Sequence, residues 1–141
     1  MATPYDDVIL DHIKNARNYR VPEGVSREIR GSNVLCGDDL VLYLRMDGGC
    51  VVDISFQCSC CGLSMASSSV MTDIVKGKGT GEAELLLHEF TARLGGTLQS
   101  DSAALSREQQ ALLDAARRFP ARTRCVALPW TTLMTALAET E

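Results

Sequence analysis

Residues 40–57 read LVLYLRMDGGCVVDISFQ, and this stretch decides the fold. Leu40, Leu42, Leu44 and Met46 fall on one face of an extended chain, and Val41, Tyr43 and Arg45 on the other. That period of two predicts a strand over 40–46. Asp47-Gly48-Gly49 follows, a turn whose residues tolerate positive φ, and the apolar run resumes over 51–57. The pair is a hairpin. A third strand is expected just upstream, over 27–31, so the three form an antiparallel meander.

The period changes on both sides of this hairpin. Upstream, Tyr5, Val8, Ile9 and Ile13 are spaced for a helix over 5–15, with Thr3 as N-cap and Pro4 at the first helical position. Residues 18–24 read as a loop. Downstream, Leu63, Val70, Met71, Ile74 and Val75 mark a helix over 61–76, where the small residues Ala66, Ser67, Ser68 and Ser69 permit close backbone approach. Further helices are expected over 82–94 (Leu85, Leu86, Phe90, Leu94), through Ala111, Leu112 and Ala115, and over 122–140, with Pro129 in the first turns of the last. Gly95-Gly96 and Pro120 separate them. The expected fold is α+β: one domain over 1–141, with a small three-stranded antiparallel sheet packed against several helices.

Bulk composition narrows the function. A chain of 141 residues with 45% hydrophobic and 23% charged residues can bury a real core. A net charge of −4 argues against a nucleic-acid partner. No run approaches the ~20 apolar residues of a membrane span. Asp6, Asp7 and Asp11 crowd the N-terminal stretch where a secretory signal would carry basic residues, so a cytoplasmic location is expected. In that reducing setting the six cysteines read as ligands or reactive thiols rather than disulfides.

Three thiol segments carry the chemistry: Cys36-Gly37-Asp38, Cys58-Ser59-Cys60-Cys61, and Cys125. Gly37 lets a thiolate and a carboxylate converge on one point, although an ordinary turn cysteine fits the same residues. Cys61 stands at a helix N-terminus, where backbone N–H groups favour the thiolate; a buried apolar cysteine is the alternative. Cys125 lies near the start of the last helix beside Arg122 and Arg124, which favour a thiolate there too. C-x-C-C lacks the C-x-x-C spacing of zinc knuckles and of redox dithiols, and a Cys60–Cys61 disulfide would be strained. Cys50 is a strand or turn residue, and His12 and His88 read as structural or solvent-facing. Arg117, Arg118, Arg122 and Arg124 form a solvated face or a dock for an acidic partner.

Set in order, these segments resemble the NifU/IscU-type iron–sulfur cluster assembly family, SufU branch. The matching stretches are Tyr5…Ile9-Leu-Asp11-His12, Arg17-Asn18, Cys36-Gly37-Asp38, and Ile54-Ser-Phe56 leading to Cys61-Gly-Leu-Ser-Met-Ala-Ser-Ser-Ser69. They continue with Met71-Thr-Asp-Ile-Val-Lys-Gly-Lys78, Pro120-Ala-Arg122-Thr-Arg-Cys125, Leu128 and Trp130. The resemblance implies that Cys36, Asp38, Cys61 and Cys125 meet at one exposed end and bind zinc. It further implies that Cys36 accepts sulfur from a SufS-type, pyridoxal-phosphate cysteine desulfurase, with Arg122 in support. Apo iron–sulfur proteins or other assembly components would receive the sulfur. The alternative it carries is a scaffold that builds and hands on a [2Fe–2S] or [4Fe–4S] cluster. Arg124, where IscU scaffolds have His before the third cysteine, and the extra stretch around 95–106 both resemble the SufU branch. Cys58-Ser59-Cys60 departs from the family's Gly-x-Gly. If positive φ is needed there, each cysteine costs about 1–2 kcal/mol.

Overall fold

The computed structural model describes residues 7–22, 24, 27–33, 37–95 and 106–139. Thr3, Pro4, Tyr5 and Cys36, and most of the polar stretch before Ser106, lie outside the described residues. In chain order the elements are α1 (Asp7–Lys14), β1 (Arg27–Asn33), β2 (Asp38–Asp47), β3 (Cys50–Ser59), α2 (Gly62–Val75) and α3 (Thr80–Leu94). They end with α4 (Arg107–Arg118), a 3-10 turn at Pro120–Arg122, and α5 (Thr123–Glu139). The strands pair antiparallel in the order β1-β2-β3, as the alternation predicts.

The hairpin register closes at Asp47↔Cys50, leaving Gly48 and Gly49 at φ 59° and 77°. Two consecutive positive φ values are what a two-residue turn needs to match the twist of its strands. Leu40, Leu42 and Leu44 point inward, as do Val51, Ile54 and Phe56 of β3. A register shift at Arg45/Met46 explains why the inward set of β3 passes from odd to even positions. Helices α2 and α5 cover this face, α5 over β1 and α2 over β3. The outer edge of β3 is closed by a short bridge, in which Asn18 C=O accepts from Phe56 N–H and Arg20 N–H donates to Phe56 C=O. That pairing blunts an otherwise open strand edge, and it gives the loop over 18–24 a structural duty.

Two helix details differ from or add to the sequence reading. Helix α3 begins at Thr80 and anchors itself by Ala83, Leu87 and Phe90; Leu85 is 60% exposed and outside the apolar stripe. Helix α4 starts at a full capping box, Ser106 with Gln109, whose S-x-x-Q spacing is readable in the sequence. Pro129 sits in the second turn of α5, which begins at Thr123, within the first turns where it is expected. Among the described residues no helix is long and apolar enough to cross a membrane.

Candidate metal centre

Ligand-type side chains converge where β2 begins, α2 begins and α5 begins. One carboxylate oxygen of Asp38 and the sulfurs of Cys61 and Cys125 all lie within 4.8 Å of one another. Each is brought there by a local rule. Asp38 opens β2 directly after Gly37, whose φ of 71° turns the chain into the strand. Cys61 is the N-cap of α2, extended at φ −72° and ψ 167°. Cys125 is in the first turn of α5 and is fully buried.

The carboxylate is held by two neutral donors. Cys61 N–H donates to Asp38 Oδ1 at 3.0 Å, and Ser64 Oγ stands 3.0 Å from Asp38 Oδ2. Ser64 Oγ is also 3.0 Å from the Cys125 carbonyl. A hydroxyl has one proton, so these two buried acceptors compete for it. The Cys125 carbonyl needs a donor because Pro129, four residues on, has no N–H to give. A buried carboxylate shared in this way beside two sulfurs is a donor set that a divalent, thiophilic cation completes. The residues present fit zinc: two sulfurs and one carboxylate oxygen, close enough to meet at a single ion.

Burial pushes the Cys61 thiol pKa up, but Ser64 and Cys125 together pull it down, and the net shift is downward. The Ser64 N–H approaches the sulfur without meeting hydrogen-bond geometry, its hydroxyl lies 3.7 Å away, and the Cys125 thiol adds to the effect. The Asp38 charge opposes them. The N-cap position therefore favours the thiolate, as the sequence suggests.

Residues 4–126 match the NifU-like N terminal domain family. The chain belongs to that family. The zinc-dependent sulfurtransferase SufU of Bacillus subtilis (strain 168) is 36% identical over 139 residues, covering 99% of this chain and 92% of the relative. The iron–sulfur cluster assembly scaffold protein IscU of Streptococcus pyogenes serotype M1 is 34% identical over 133 residues, covering 94% and 82%. A crystal structure of a putative SUF-system scaffold protein from Fervidobacterium islandicum AW-1 superposes with a TM-score of 0.85 at 29% identity, covering 95% of this chain and 96% of that one.

Against the family pattern, two expectations need correction. Cys58 and Cys60 form a disulfide, so the reading of every cysteine as a free thiol fails there. Cys58 lies near the end of β3 and Cys60 just past its last residue, Ser59, where the chain is no longer fully extended and the two Cα atoms lie 5.5 Å apart, inside the disulfide range. A search for C-x-x-C misses a pair spaced C-x-C. Nor do these cysteines incur a backbone cost, since Asn18 is the one described non-glycine residue with positive φ. The second correction concerns exposure. Asp38 and Cys125 are buried and Cys61 half-buried, so the cluster sits under the surface rather than at an open end.

Other expected residues fall out simply. Cys50 is an exposed strand-end thiol. His12 is buried, with Nδ1 2.6 Å from Ser69 Oγ. Arg122 and Arg124 are exposed beside the start of α5, whereas Arg117 pairs with Asp114 at 4.0 Å and Arg118 lies over the Phe119 ring. Ser64 and Ser67 are the contributors the sequence reading passed over. Ser67 Oγ accepts from Trp130 Nε1–H at 2.7 Å and donates to the Val126 carbonyl at 2.5 Å. The signal was present as serines on the apolar face of α2, where a hydroxyl must find a partner.

Proposed function

We propose that this chain is a zinc-containing sulfur acceptor that serves iron–sulfur cluster assembly, taking sulfur from a pyridoxal-phosphate cysteine desulfurase. The observation that carries this reading is the Asp38–Cys61–Cys125 convergence within 4.8 Å. Its weight comes from the near full-length similarity to a protein named as a zinc-dependent sulfurtransferase. Asp38, Cys61 and Cys125 would hold the metal, with Cys36 as the fourth ligand by resemblance. Bound zinc would keep the thiols deprotonated at neutral pH.

The chain's own residues divide the remaining work. Asp38 is fixed by Cys61 N–H and Ser64, and Cys125 by burial in α5, so these two hold position. Cys36 is the proposed acceptor, with exposed Arg122 beside the site in support. In the transfer, the acceptor thiolate attacks the outer sulfur of the desulfurase persulfide. The persulfide S–S bond breaks, the desulfurase keeps its thiolate, and the acceptor becomes the persulfide. Desulfurase turnover with L-cysteine, with and without this chain, tests the reading. Stimulation lost in Cys36→Ala supports it, and wild-type sulfur uptake by Cys36→Ala sinks the assignment. Apo iron–sulfur proteins or other assembly components are the proposed recipients.

The similarity to IscU scaffolds keeps a second reading in play, in which the same residues hold a [2Fe–2S] or [4Fe–4S] cluster. Anaerobic reconstitution separates the two. A chain that retains zinc and develops no cluster absorption is the acceptor.

A further inference from the structure

Besides the exposed Cys50, two cysteines are left over when the cluster is assigned, Cys58 and Cys60, and they occupy a particular place. The β2–β3 register runs through Leu40↔Cys58 and ends at Asp39↔Ser59, and Cys60 follows directly, next to Cys61, whose N–H donates to Asp38 Oδ1. Cys58 packs against the core on the helix side of the sheet, its Sγ 4.0 Å from Met65 Sδ in the first turn of α2. Cys61 caps that same turn, with its sulfur 3.7 Å from Ser64 Oγ. Two sulfur systems therefore border one helix turn: the disulfide on its strand side and the Asp38–Cys61–Cys125 cluster at its N-terminus. Cys58 and Cys60 are both partly accessible. A structural staple explains neither feature, since a disulfide joining residues two apart closes a loop too short to restrain the unfolded chain much.

We propose that Cys58 and Cys60 are a built-in reductant that converts a persulfide held at the adjoining cluster into free sulfide. The proposal rests on the sulfur-acceptor reading for its natural substrate. In the reduced chain, the Cys60 thiolate attacks the outer sulfur of the persulfide. That S–S bond breaks, the acceptor cysteine leaves as a thiolate, and Cys60 becomes the persulfide. Cys58 then attacks the inner sulfur of Cys60, closing the Cys58–Cys60 disulfide and expelling the outer sulfur. One sulfane sulfur gains two electrons and two thiols lose them. The proton of the persulfide and the proton of Cys58 leave with the sulfur as hydrogen sulfide. The disulfide present in the structure is the end state of this step, and a dithiol reductant from outside the chain reopens it.

The experiment uses the full chain, reduced and then freed of reductant under anaerobic conditions, and charged with inorganic polysulfide. Wild type is expected to release about one more sulfide per chain than the Cys58→Ser/Cys60→Ser variant, because only a dithiol reduces the sulfur it receives. The peptide carrying residues 58 and 60 should lose two hydrogens in step with that release. Cys58→Ser alone should stop at a Cys60 persulfide, detected by alkylation and mass spectrometry, which reports on the step even if the double variant folds poorly. Equal sulfide from wild type and double variant, or Cys58 and Cys60 still open after release, overturns the proposal. A second arm replaces polysulfide with a cysteine desulfurase and L-cysteine. Release with polysulfide alone upholds the dithiol and sinks sulfur acceptance from the desulfurase. Persulfide loaded by the desulfurase and retained by the reduced wild type upholds acceptance and sinks the dithiol.

Discussion

Ser64 and Pro129 should be energetically coupled although neither touches the other's backbone by hydrogen bond. Within α5 the Cys125 carbonyl would normally accept the N–H of residue 129, and proline has none. The Ser64 hydroxyl, 3.0 Å away, fills that vacancy while also facing Asp38 at 3.0 Å. Ser64→Ala in metal-free protein takes a buried donor from the carbonyl, worth about 1–3 kcal/mol, and strips a hydrogen bond from the carboxylate, worth about 1.5–3 kcal/mol. One proton serves both, so the total belongs near ~3 kcal/mol rather than at the sum. Pro129→Ala supplies the missing N–H. In that background the carbonyl is satisfied by the helix itself, and Ser64→Ala should cost at least ~1 kcal/mol less. Urea unfolding of the four proteins, with chelator and reductant present, measures this. Trp130 is the single tryptophan and reports from α5. With a slope of about 1–3 kcal/mol per M, the coupling moves the midpoint by roughly 0.3–1 M. Additivity within ~0.3 kcal/mol would refute the assignment of Ser64 as the surrogate donor.

Further outcomes follow from the same contacts. Cys125→Ser should weaken zinc binding at least about 100-fold in chelator competition, more than loss of an outer contact costs, and an unchanged affinity would remove Cys125 from the ligand set. Zinc extraction should lower the melting temperature, and an excess of about 100-fold over Kd should restore ~2.7 kcal/mol. Ser67→Ala leaves the buried Trp130 N–H without its partner and should cost roughly 1–3 kcal/mol, with altered Trp130 emission in the folded state. Burial, aided by Arg17, holds the His12 pKa below its ordinary 6.5, opposed by Asp11, Glu108 and Asp73. The unfolded chain thus binds the proton first. His12's contribution is complete above about 6.5 and is lost as pH falls from there through its folded pKa. His12→Gln should flatten the stability profile over that window, and an identical slope in both proteins would contradict the assignment.

Much of the fold is legible because two periodicities are clean. The alternation at 40–46, the turn at Asp47-Gly48-Gly49 and the 3.6-residue spacing of α2 fix the sheet and its main cover. Leu85 is misread because α3 is anchored through Ala83 and Leu87, a choice made by tertiary packing rather than by apolarity. At the site, Asp38, Cys61 and Cys125 are identifiable from residue type and context, but their convergence within 4.8 Å depends on three chain segments meeting. Burial of that cluster is not legible, since it comes from α5 closing over β1 and α2. Ser64 escapes for a similar reason: its partner is a carbonyl freed by a proline 65 positions downstream.

The four residues from Cys58 to Cys61 show why neighbouring thiols need not share a chemistry. The chain changes period here, from two in β3 to 3.6 in α2. Cys58 still belongs to β3, Cys60 follows just past its last residue, and the turn out of the strand brings their Cα atoms to 5.5 Å. Cys61 obeys the cap rule: it faces the first turn of α2, where Ser64 and the helix N–H groups favour its thiolate and where Asp38 and Cys125 wait. The geometry therefore separates a pair suited to exchange from a thiolate suited to a metal within a single strand-to-helix junction. Substitutions on one side of that junction should leave the other working, which is what makes the dithiol and the metal centre testable apart.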